Sequence, residues 1–76
     1  MAIFARVEKT HEDENLIRYR YEDSAGSQRT LIFEKSTEKL SPEDGPEDTL
    51  YRAVAMKLAG ILVRSGESPE RFMVQS

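Results

Sequence analysis

Cysteine and tryptophan are absent, histidine occurs once, and the 76 residues include only four glycines and three prolines. Without cysteine there is no disulfide and no thiolate to hold a zinc ion, so stability has to come from one apolar core, with self-association as a natural reinforcement. A single domain of this length buries only about 60% of the surface its unfolded chain exposes. An excess of positive charge is also missing. Eleven Lys and Arg stand against 14 Asp and Glu, a net charge of -3, which disfavours non-specific attraction to nucleic-acid phosphates or anionic lipid. The longest apolar run, residues 58–63, is far too short to span a bilayer, and residues 1–6 lack a basic start followed by an apolar stretch. The expectation is a soluble, cytoplasmic chain. Gly26, Gly45, Gly60 and Gly66 are scattered and form no phosphate-cradling loop.

What is present is alternation. Ile3, Ala5 and Val7 share one side of a first stretch, with Phe4, Arg6 and Glu8 opposite. Across residues 16–22, Ile17, Tyr19 and Tyr21 oppose Leu16, Arg18, Arg20 and Glu22. Across 28–35, Leu31 and Phe33 oppose Gln28, Thr30, Ile32 and Glu34. A period of two with β-branched and aromatic residues predicts three half-buried strands. The polar segments 10–15 and 23–27 then read as turns. Pairing Tyr21 with Leu31 and Tyr19 with Phe33 keeps the apolar set on one face, which requires an odd-length second turn, here expected to centre on Gly26.

Residues 36–44 read as a polar linker pinned by Leu40. A helix is expected over 46–64, with Gly45 as N-cap, Pro46 at the first helical position, Glu47 and Asp48 against the positive end of the dipole, and Gly66 closing the far end. On a helical projection Leu50, Tyr51, Val54, Leu58, Ile61 and Leu62 make one broad apolar stripe. Ala53, Met56, Gly60 and Val63 make a smaller stripe on the far side, among Arg52, Lys57 and Arg64. Phe72, Met73 and Val74 imply that the last segment docks, either as a helical turn begun at Ser68 and Pro69 or as a short fourth strand. It is expected to cover the Val63 end of the far stripe and leave Met56 available.

The predicted fold is therefore one α+β domain over 1–76, a three-stranded antiparallel meander packed on one long helix in β-β-β-α order. Its expected inner core is Ile3, Val7, Ile17, Tyr19, Tyr21, Leu31, Phe33, Leu50, Val54, Leu58, Ile61 and Leu62.

Candidate chemistry is sparse. His11 stands beside Glu12, Asp13 and Glu14, but this turn has neither the D-x-D spacing nor the glycine of a calcium loop, so it reads as a solvated acidic turn. No Ser, Cys or Lys is matched with a base and an orienting group, and a chain this small has little room for the apolar cleft that raises a carboxylate pKa. No catalytic residue, metal ligand or cofactor is expected.

Arg6, Arg18, Arg20 and Thr30 share the outward face of the predicted sheet. In topology alone, a three-stranded sheet backed by one helix resembles the arm-binding domains of tyrosine integrases, which read the major groove with the sheet face. The β-β-β-α order also resembles a double-stranded-RNA-binding domain lacking its first helix. Such resemblances would imply nucleic-acid binding through the sheet. Yet Glu8, Glu22 and Glu34 balance the three arginines, and Glu47 and Asp48 stand where a basic cluster would be needed. Phe4, Leu16 and Ile32 lie on the same face, and apolar residues interleaved with Arg match the composition of protein interfaces. The expected function is a small non-enzymatic module that binds a protein partner or forms a weak homodimer, through Phe4, Arg6, Leu16, Arg18, Arg20, Ile32 and, on the helix, Met56. Nucleic-acid binding by the exposed sheet face is the alternative.

Overall fold

A computed structural model describes residues 3–75. Among them the chain forms an antiparallel sheet of five strands and one helix. The strands are β1 (Phe4–Glu12), β2 (Leu16–Asp23), β3 (Gln28–Glu34), β4 (Lys39–Pro42) and β5 (Arg71–Gln75), in the order β4-β3-β2-β1-β5; the helix α1 (Thr49–Ser65) lies between β4 and β5 in sequence. The α+β class and the central meander are as expected, but two edge strands enlarge the sheet from three strands to five.

Both additions have a local cause. β4 falls inside the segment read as a linker, and it pairs Phe33 with Leu40 and Leu31 with Pro42. Four residues give too little alternation to announce a strand, and Leu40 supplies the only apolar side chain among them besides the proline. β5 resolves the ambiguity of the last segment in favour of a strand. It pairs with β1, setting Val7 opposite Phe72 and Ala5 opposite Val74, so Val74 joins the core.

The hairpin between β2 and β3 keeps the expected parity but is offset by two residues, with Tyr21 opposite Arg29, Tyr19 opposite Leu31 and Ile17 opposite Phe33. The turn is centred on Ala25 rather than Gly26. Asp23 accepts hydrogen bonds from the Ala25 and Ser27 amides through Oδ1, both at 2.9 Å, and Gly26 follows in the left-handed region at φ 87°. The 10–15 segment is also shorter than expected as a turn. β1 continues to Glu12 with an irregularity at Thr10, and Asp13 closes the reversal by accepting from the Asn15 and Leu16 amides at 2.8 and 2.9 Å. The extra residue is a bulge that brings Glu12 to the same side as Lys9, the side facing the helix.

The helix starts later than expected. Asp48, not Gly45, is the N-cap, with β-region backbone and a carboxylate that accepts from Tyr51 N at 2.9 Å. A carboxylate satisfies an otherwise orphaned amide, which glycine cannot do. Pro46 and Glu47 accordingly precede the helix, and Gly45 turns the chain at φ 79°. Gly66, at φ 73°, closes the other end by donating to Leu62 O at 2.9 Å.

The helix covers one face of the sheet. Ala5, Val7, Ile17, Tyr19, Tyr21, Leu31 and Val74 from the strands are buried against Tyr51, Val54 and Leu58. Of the expected core, Phe33, Leu50 and Leu62 pack at its margin, and Ile3 and Ile61 are half-buried. The centre is narrower than expected because α1 contacts β1 and β5, leaving Phe33 and Leu40 at the β4 side beside a hollow of about 210 Å³.

Candidate interaction surface

The sheet face away from the helix carries the residues singled out in the sequence, and strand register arranges them in rows. One row runs Met73, Arg6, Glu22, Gln28; the next runs Arg71, Glu8, Arg20, Thr30; a third joins His11, Arg18, Ile32 and Ser41. Phe4 therefore lies at one end of the strands, and Leu16 and Ile32, diagonal neighbours on β2 and β3, at the other, so the three apolar residues share the face as expected but are not all adjacent.

The arginines divide in the same way. Arg18 is clamped by Glu43, which accepts from Nε at 3.1 and 3.2 Å and from Nη2 at 3.1 Å. Arg20 reaches across to Glu8 at 3.2 Å. Glu8 is thereby engaged on its β2 side, and among the described residues no ion pair involves Arg6 or Arg71. These two flank Met73, which is 55% exposed, and a hollow of about 340 Å³ opens there between β1 and β5. The sequence reading missed Arg71 and Met73. Their alternation with Phe72 and Val74 was legible, but only pairing with β1 places them on the outer face.

Met56, 75% exposed, lies on the helix, remote from the outer sheet face, and is not brought together with the other candidates. Val63 is 85% exposed. The expectation that the last segment covers Val63 is overturned: once β5 hydrogen-bonds to β1, Phe72 and Val74 face the sheet core, Met73 faces the outer side of the sheet, and Val63 stays exposed on the helix.

At the end of the sheet beside Gly66, Glu12 accepts from Lys9 Nζ at 2.7 Å and Ser68 Oγ at 3.0 Å, and pairs with Lys35 at 3.0 Å. The Lys9 bond, then those of Lys35 and Ser68, hold its carboxyl down at about 2. The Tyr19 hydroxyl donates to Pro69 O at 2.8 Å, its ring meets Phe72 edge to face, and burial pushes its pKa up to about 12. This network fastens the segment leading into β5. The His11 ring bonds Asp13 at 2.9 Å, and among the described residues no three His, Asp or Glu side chains converge as metal ligands would. No helix among them is long and apolar enough to cross a membrane.

Set against protein-family models, curated proteins and solved structures, the chain matches none.

Proposed function

We infer that the chain is a small non-enzymatic module, working in the cytoplasm, that binds a protein partner on the β1–β5 half of its uncovered sheet face. One observation carries this reading: two guanidinium groups without an ion-pair partner among the described residues, Arg6 and Arg71, flank the exposed Met73. Arg and Met are enriched at protein interfaces, and Arg offers both hydrogen bonds and a flat apolar surface to a partner. Arg18 and Arg20 belong to the expected site but contribute less, because a binder would first have to displace Glu43 and Glu8.

Nucleic-acid binding is the weaker reading. Glu8, Glu22 and Glu34 interrupt the face, and the net charge is -3, where a phosphate-binding surface has a continuous basic footprint. Affinity capture comparing the unaltered protein with Arg6→Glu and Arg18→Ala provides the test. A specific partner should be lost with Arg6→Glu and retained with Arg18→Ala. Equal retention by all three would overturn the assignment of the site. A saturable, salt-sensitive shift of Arg6, Arg20 and Thr30 resonances on adding duplex DNA or RNA would overturn the choice of partner class.

A further inference from the structure

We propose that β5 is a dimerisation edge, pairing antiparallel with β5 of a second copy of this chain to make one continuous sheet. The inference goes beyond the face-binding reading, because it uses the backbone of the strand rather than the side chains of the face.

Both edges of the sheet could in principle accept another strand, and they are built differently. In an antiparallel ladder, alternate residues turn their N–H and C=O groups to opposite neighbours. On the β4 side, Glu43 N donates to Thr30 O at 2.9 Å. Residues 39, 41 and 43 therefore face β3, and Leu40 and Pro42 face outward. Proline has no N–H to offer, so this four-residue edge presents one donor and is closed to further pairing.

The β5 edge has no such block. Lys9 N donates to Glu70 O at 2.8 Å, so residues 70, 72 and 74 face β1, and Arg71, Met73 and Gln75 direct their backbone groups outward. The strand has no proline, and its inward side chains, Phe72 and Val74, are apolar rather than charged. Proline and an inward-pointing charge are missing here and Arg71 is the one charged residue of the strand, while the opposite edge carries both Lys39 and Pro42.

Self-pairing also requires complementarity about a two-fold axis. Centring the pair on Met73 sets Met73 opposite Met73, Arg71 opposite Gln75, and Phe72 opposite Val74. All three outward residues of each strand then exchange both backbone bonds with the second copy. No like charges face one another, the two exposed methionines meet at the axis, and Phe72 and Val74 extend the apolar layer across the junction. Moving the centre to residue 72 brings Pro69 into the ladder, and moving it to 74 leaves Arg71 without an opposite residue in the strand.

A five-residue junction predicts a weak, concentration-dependent dimer. Sedimentation velocity over a dilution series should show it, and the amides of Arg71, Met73 and Gln75 should exchange more slowly as concentration rises. Met73→Pro removes an outward N–H without touching the β1 ladder, and Met73→Lys places two like charges at the axis. Either should leave a folded monomer, while Arg6→Glu should dimerise as before. If Met73→Pro fails to fold, Met73→Lys decides. A protein monomeric at every concentration would overturn the proposal, as would a dimer that survives Met73→Lys or leaves those three amides unprotected. Partner capture is read on Arg6→Glu and Arg18→Ala, neither of which lies on β5, so the two readings fail separately.

Discussion

Asp48 joins two devices in one carboxylate. Oδ1 accepts from Tyr51 N and Oδ2 binds Arg29 at 2.6 Å, and these bonds, the cap first, lower its pKa. Asp48→Ala removes both, and a cost of about 1 to 2 kcal/mol is expected from the cap, read as a lower urea midpoint. Two buried tyrosines should behave oppositely. Tyr19→Phe loses the bond to Pro69 O and should cost about 1 kcal/mol. Among the described residues no group meets hydrogen-bond geometry with the buried Tyr21 hydroxyl; burial raises its pKa, and the neighbouring Arg29 side chain, a donor beside it, opposes that rise. Deleting an unsatisfied buried hydroxyl is nearly neutral or stabilising, so Tyr21→Phe should change stability by less than about 0.5 kcal/mol. A large loss on Tyr21→Phe would mean that Arg29 satisfies it.

At the scale of elements, the helix is held to the sheet by a narrow strip. Leu58 has no exposed surface and sits with Val54 and Tyr51 against the strands. Leu58→Ala should therefore cost about 2 to 5 kcal/mol through the cavity it leaves, and Lys57→Ala, on the exposed side, less than about 0.5. Equal effects in thermal unfolding would mean that the helix presents another face. The helical stripe, the central strands and the left-handed Gly66 were legible because each is a periodic or single-residue signal of its own. β4 was not, since a four-residue strand closed by proline looks like a linker until β3 is beside it.

For the molecule as a whole, β1 and β5 bring the two ends of the described chain together, and the Glu12 network secures that closure. Glu12 lies near 2 against an ordinary 4.5, and Asp13, bonded first by His11, near 2 against 3.8. Both carboxyls are depressed in the folded protein, so their contribution is complete above the ordinary values and disappears as pH falls toward about 2. Lys9 is shifted upward from 10.5, first by the same bond to Glu12, so that interaction is also lost on the alkaline side as pH rises through the raised Lys9 value. Urea unfolding should show falling stability below pH 4.5, and Glu12→Gln should flatten that limb while lowering stability near neutrality. Because these groups are largely hydrated, the change should be modest. An unchanged acid limb would place the effect elsewhere.

The sequence by itself determined the class of fold, the inward set of Ile17, Tyr19, Tyr21 and Leu31, and the outward display of Arg6, Arg18 and Arg20, because side-chain alternation along a strand is fixed by the backbone. Only the tertiary structure decided which arginines are engaged, since Glu43 lies 25 residues from Arg18 and nothing local links them. It likewise decided where Arg71 and Met73 point and which sheet edge stays open. Those outcomes depend on hydrogen bonds between segments far apart in the chain, whose phase no local period records.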